Sequence, residues 1–403
     1  MSDQALTTGT HVPAGHLPLM DGARAIAALM VLLTHAGAAS GTTFRSPIGP
    51  FLARGDWGVA LFFVLSGFLL TRPWVTWRTS SGSLPSAVTY ARKRIVRIVP
   101  AYWVALAAVV ALAVAPINAR SITSNALLTQ IYTGDLLAGF YQSWSLCTEV
   151  AFYIALPFLA PLFIRRSERT SLILIAAAAM ISPVWIMICK EWFVDQMHPY
   201  AVTWLPGHLD WFCAGMALAV LERRMRSGKL PRGLVGANRW LLVAGGAFAI
   251  ALTPLGGPLG FAQVSGPIAI AKELLYGVSA FCLVGALLQP LAATTFWGRP
   301  LNSRIMTWAG IVSYGFFLWH VLVLDEVRRF LGLPEGGGGF LVSLLLTILI
   351  TLAIAQVSYM LMERPLMRRF GGSSLRRRPR GTLSGHDRES GDDEAIQTAP
   401  RSR

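Results

Sequence analysis

Arg24 and His35 stand eleven residues apart in one apolar stretch, Leu19 to Ala39, whose only other ionisable residue is Asp21. At about 100° per residue that spacing returns to nearly the same helix face after a rise of roughly 16 Å. One face therefore presents a cation near one end of the helix and an imidazole toward the other. Imidazole is the side chain that gains and loses a proton near neutral pH. An ionisable group inside a membrane helix is costly unless it faces a polar interior, so it marks a functional site by default. A neutral histidine hydrogen-bonded to a neighbouring helix is the plain structural alternative.

Glu149, in QSWSLCTEVAFYIALPFLAP, is the one acid well inside an apolar run. Counted from the outer ends of their helices, Glu149 and His35 reach similar depth and are expected to meet. A carboxylate beside an imidazole raises its basicity and fixes its tautomer, giving a general base able to take a proton from a hydroxyl. A buried pair that merely locks two helices stabilises poorly for its desolvation cost. In ARKRIVRIVPAYW, residues 91 to 103, Arg94 and Arg97 are three apart and share a face that can clamp a multiply charged anion. Lys93 and Tyr102 flank that pair. A topology signal or a lipid-headgroup contact is the alternative for such a basic patch. Ser66 and Gly67, in the middle of GDWGVALFFVLSGFLL, let helices approach closely or let a ligand chain pass.

These residues need a membrane scaffold to position them. The 403 residues are 54% hydrophobic and 14% charged, with mean hydropathy +0.53, too apolar for a soluble domain of this length. The expected fold is all-α, a polytopic bundle of about ten transmembrane helices at 22–40, 57–76, 99–116, 143–164, 170–189, 208–221, 239–254, 268–289, 305–324 and 341–362. The sixth is the shortest. With the N-terminus cytoplasmic, only seven of the 35 Lys and Arg fall in outer loops, so the positive-inside rule predicts both termini in the cytoplasm of a plasma-membrane protein. The formal charge of +15 sits in short clusters between apolar runs, which fits a lipid bilayer and cytoplasm as partners and no nucleic acid. The four cysteines are single and apolar in context, giving no metal or disulfide pattern. The first twenty residues hold no Lys or Arg, so no signal peptide is expected ahead of the first helix. The organisation expected is a cytoplasmic tail at 1–18, a membrane domain at 19–369 and a disordered cytoplasmic tail at 370–403. Gly336 to Gly339 reads as a flexible outer loop, and the longest outer loop, 117–142, adds no separate domain.

In order along this scaffold come Arg24 with ten residues before His35, Ser66-Gly67-Phe68, Arg94-x-x-Arg97, WSLCTEVAFY at 144–153, SYGFFLWH at 313–320 and YMLMERP at 359–365. The chain resembles, over about residues 17–369, the acyltransferase-3 type of membrane acyltransferases, which includes O-antigen, peptidoglycan and macrolide O-acyltransferases. The resemblance implies transfer of an acyl group, usually acetyl, from cytoplasmic acyl-CoA to a hydroxyl of an envelope glycan, a glycolipid or a secreted small molecule, with no metal. It implies His35 as catalytic base with Arg24 and Glu149 as its neighbours. Arg94 and Arg97 become the clamp on CoA phosphates, with Lys93, Tyr102, Ser66 and Gly67 on the donor's path. Trp144, Tyr314 and His320 become contacts for the acceptor, while Glu363 caps or pairs locally. The competing function is a proton-coupled transporter or flippase using the same intramembrane Arg, His and Glu as a relay.

Overall fold

The computed structural model describes residues 17–79, 84–113, 116–164, 167–193, 197–229, 236–260 and 264–370. Among them every regular element is helical. The long helices are α1 (Pro18–Ser40), α2 (Trp57–Thr79), α3 (Ala87–Leu112), α4 (Trp144–Ile164), α5 (Glu168–Trp192), α6 (Leu209–Arg226), α7 (Ala237–Ala251), α8 (Gly266–Leu287), α9 (Arg304–Phe330) and α10 (Phe340–Phe370). Eight helices of the described chain are long and apolar enough to cross a membrane, which makes it an all-α multi-pass bundle. The other two expected spans are α6 and α7. Five of the 18 residues of α6 are charged, and α7 has only 15 residues.

Both nevertheless run along the bundle. The α6 helix follows α2 in the same direction, with Phe212 stacked on Phe63 at 4.4 Å and Glu222 bridged to Arg72 at 2.7 Å. The start of α7 packs through Trp240 on Gly285 near the end of α8. The far end of α7 gives the Ala251 carbonyl to Arg54 at 2.8 Å. Arg54 is buried without an acid and is satisfied by the carbonyls of Ala251, Gly257 and Pro258. Buried charge is tolerated when its donors are all directed at acceptors.

Close approach of α2 and α6 depends on absent side chains. A Cβ on Gly67 would run into the Phe212 carbonyl, and one on Gly215 into the Val64 carbonyl. Gly67 is thus a helix-packing position, the close helix approach that was one of its two expected roles, with the α6 backbone against it. Gly215→Val is expected to force the two helices apart at about 3 kcal/mol. A fall in the melting temperature of the detergent-purified protein, with Ala251→Gly as a milder control, checks this.

Helices α1 and α9 lie side by side and parallel: Gly310 meets the Asp21 carbonyl, Arg24 meets Ser313 and His35 meets His320. The arginine end and the histidine end of α1 are therefore both read against one helix. The glycine loop after α9 is not loose. Gly336 N–H donates to Ala39 O at 2.8 Å and Gly338 N–H to Ser40 O at 3.0 Å, while buried Arg328 donates to Gly338 O and Pro334 O at 3.0 and 2.7 Å. Positive φ at Gly336, Gly338 and Gly339 turns the loop onto the end of α1, a backbone only glycine adopts freely.

The 117–142 segment also folds locally. Helix Ala119–Ala126 and turn Gln130–Thr133 cap the side of α3, where Tyr102 OH donates to Asn125 O at 2.8 Å and accepts from Gln130 Nε2 at 3.2 Å. The expected disordered tail lies outside the described residues beyond Phe370, as do residues 1–16.

Candidate active site

Helices α1, α2, α4 and α9 line one partly open cavity of about 50 Å³. Its walls come from Arg24 on α1, from Phe62, Phe63 and Ser66 on α2, from Ser145 and Glu149 on α4, and from Ser313, Tyr314 and Phe317 on α9. The α9 residues recur at helical spacing, as do Ser145 and Glu149, so the lining follows from helix geometry.

Glu149 is the negative centre of this cavity. Ser66 Oγ–H donates to its carboxylate. Arg24 and Arg94 act on it electrostatically, as do the phenols of Tyr90 and Tyr153. Arg24 Nε donates to Ser313 Oγ at 3.3 Å, and Ser313 Oγ–H donates to Gly310 O at 2.8 Å. Tyr314 OH donates to Ile98 O at 2.8 Å, fixing the α3 segment that carries Arg94 and Arg97 beside α9. Arg94 Nε is buried with no hydrogen-bond partner, a guanidinium edge left for an oxyanion. Glu363 belongs here as well. It is 4% exposed, at the end of the π-turn Tyr359–Glu363 that interrupts α10, and acts on Arg97 and Arg24. A cap or a local pair was expected of it, and the cations that act on it lie on α3 and α1.

His35 lies at the other end of α1, partly exposed, with the rings of Tyr141 and His320 each 5.3 Å from its own. It does not pair with Glu149. Equal counting from helix ends misplaces the two because the turn Tyr141–Ser143 precedes α4, and Tyr141 is already level with His35. Eight residues further on, Glu149 stands roughly 12 Å deeper, at 1.5 Å per residue. The expected triad of His35, Glu149 and Arg24 is thus split: Arg24 and Glu149 share the cavity, and His35 stands beyond its Phe317 wall.

The donor-side residues also divide. Ser66 lines the cavity, whereas Tyr102 is held by the 117–142 cap on another face of α3. Lys93 is about 100° round the helix from Arg94. Of the expected acceptor contacts, Tyr314 lines the cavity, and His320 is fully buried against His35. Trp144 instead packs at 5.4 Å from His208 and 6.5 Å from Phe63.

Sequence reasoning passed over Tyr141, Tyr153 and Ser313. Two of these carried a signal: Tyr153 is four residues after Glu149, and Ser313 is four before Phe317 on the same helix face. It also passed over a second polar group on α2, α6 and α8, where His208 Nδ1 meets Glu273 Oε1 at 2.7 Å and Asp56 accepts from Lys272 and Tyr276 at 2.5 Å each. That group ties three helices together outside the cavity. Among the described residues no cluster of three or more His, Cys, Asp or Glu could hold a metal ion.

Comparison with known proteins places this arrangement. Listeria monocytogenes peptidoglycan O-acetyltransferase OatA is 23% identical over 375 residues, covering 87% of this chain and 56% of that protein. Bacillus subtilis YrhL is 26% identical over 376 residues, covering 87% of this chain and 55% of its own length. The chain therefore spans little more than half of these two relatives. The exopolysaccharide production protein ExoZ of Rhizobium meliloti is 26% identical over 324 residues, covering 78% of this chain and 90% of ExoZ. No solved structure matches. The profile described as an acyltransferase domain matches residues 18–360, nearly the whole described bundle, and the chain belongs to this acyltransferase-3 family.

Proposed function

We propose that the protein is a membrane O-acyltransferase that moves an acyl group, acetyl first among candidates, from cytoplasmic acyl-CoA to a hydroxyl of a cell-envelope glycan or glycolipid. The observation that carries this is the meeting of Arg24 and Glu149 in one cavity, with Arg97 in electrostatic reach of Arg24, Arg94 in electrostatic reach of Glu149, and His35 further along the helix that carries Arg24. Arginine forks suit phosphate. CoA is a charged nucleotide on a long, thin arm, so its phosphates can rest at Arg94 and Arg97 while the thioester reaches past Ser66 and Phe317 toward His35. Burial there shields the thioester from water. The positive-inside bias supports cytoplasmic termini, an inner-membrane location and entry of the donor from the arginine end. On this account residues 19–369 act as one catalytic domain, flanked by cytoplasmic tails. Acceptors of the kind named for the relatives, peptidoglycan and exopolysaccharide, would enter from the histidine end.

His35 takes the proton of the acceptor hydroxyl as its oxygen attacks the thioester carbonyl. The C–S bond then breaks and the proton passes from His35 to the CoA sulfur, so no net proton is released. An acyl-His35 intermediate is the two-step variant. Membranes carrying the protein, incubated with isotope-labelled acetyl-CoA and an envelope extract, are expected to label one glycan or glycolipid product. Equal label in membranes lacking the protein, with every short-chain donor, would sink the proposal in favour of a carrier.

A further inference from the structure

His320 is fully buried, and its Nε2 has no hydrogen-bond partner. Its Nδ1 stands 2.7 Å from Phe317 O. A carbonyl oxygen only accepts, so Nδ1 carries the proton and Nε2 of the neutral ring holds a lone pair. The His35 ring centroid is 5.3 Å away, with the ring planes 38° apart. Two imidazoles joined by one N–H···N bond of about 2.9 Å have centroids roughly 5 Å apart. The centroid separation of the pair is thus that of two imidazoles sharing such a bond. A buried acceptor left unpaired is unfavourable, and this bond would satisfy it.

We propose that His320 is the positioning partner of His35, accepting the N–H of one His35 nitrogen at Nε2 and leaving the other His35 nitrogen unprotonated toward the acceptor hydroxyl. This rests on His35 acting as the proton acceptor described above. Phe317 O holds His320, His320 holds His35, and both histidines are placed by the parallel packing of α1 and α9. When His35 takes the acceptor's proton, its other N–H tightens onto His320 and the positive charge spreads over two rings. When the CoA thiolate leaves, the proton goes to sulfur and the pair returns to neutral. Tyr141, from the turn before α4, is the other titratable group against His35, and it is acted on by Asp325 of α9 and by Glu335. The remaining rings against His320 are Phe316 and Phe317.

The test measures labelled acetyl transfer against pH for the normal protein, His35→Ala, His320→Gln and His320→Leu, in membranes with matched amounts of folded protein. Leu removes the acceptor and is expected to lower kcat about 100-fold with the KM for acetyl-CoA within twofold of normal. Gln keeps an acceptor oxygen but cannot share charge. It is expected to recover at least tenfold over Leu, with the acid limb of the kcat profile moved to lower pH because His35 has lost the ring that stabilised its charged form. Normal kcat in both variants overturns the proposal, and so does an unmoved acid limb in His320→Gln. That second readout decides alone if the Leu protein does not fold. Unchanged transfer in His35→Ala would instead remove the assigned base, whatever His320 does.

Discussion

His35→Ala is expected to lower acyl transfer by about a thousandfold at equal expression, within the range set by loss of a positioned general base. The side chain is partly exposed at the end of α1, so its truncation removes chemistry with little packing. The melting temperature should stay within a few degrees of normal, and retention of donor binding distinguishes lost chemistry from lost fold. A rapid-mixing experiment without acceptor separates the two routes. Protein-bound label that is absent in His35→Ala identifies the acyl-histidine route, and no bound label with full transfer identifies direct attack. Transfer at the normal rate in His35→Ala would contradict the assignment.

Glu149→Ala carries the second large effect, and there fold and function should fail together. The Glu149 carboxylate accepts from Ser66 and is the counter-charge to Arg24 and Arg94 inside the bundle. Removing one partner from a buried charge cluster typically costs 3–5 kcal/mol, about the magnitude expected here, because Arg24 and Arg94 lose a counter-charge inside the bundle. Glu149→Gln keeps the shape and an acceptor for Ser66 and should cost less. Transfer is expected to fall at least 100-fold in the alanine variant and less in the glutamine variant, assayed beside thermal melts in detergent. Normal melting and normal transfer in Glu149→Ala would show that the cavity charge is idle.

Much of this site was legible in the chain. Arg24 and His35 share a face because eleven residues make nearly three whole turns, and both do meet α9. Arg94 and Arg97 share a segment for the same local reason. Depth across helices was not legible. The single turn at Tyr141–Ser143 shifts α4 by enough to separate Glu149 from His35, and no residue count on either helix contains that offset. The partner packed against Gly67 was not legible either, because the Phe212 backbone is 145 residues away in the chain. The His208–Glu273 and Asp56–Lys272 contacts join residues 65 and 216 apart. Such pairings follow from the packing of α2, α6 and α8 and leave no local pattern. Glu363 reads in YMLMERP as a cap or local pair, and its electrostatic contact with Arg97 and Arg24 joins helices far apart in the chain, which no local pattern records.

The central claim is that one helix bundle holds a phosphate clamp at Arg94 and Arg97 and a catalytic imidazole at His35 along one donor path. The most direct measurement is equilibrium binding of CoA to the detergent-purified protein, comparing the normal chain with His35→Ala and with the double variant Arg94→Gln Arg97→Gln. Charge-assisted hydrogen bonds contribute about 1.5–3 kcal/mol each, so the double variant should lose roughly 100-fold or more in affinity, while His35→Ala binds as the normal protein does. Normal CoA binding by the arginine variant, folded by its melting curve, would contradict the account.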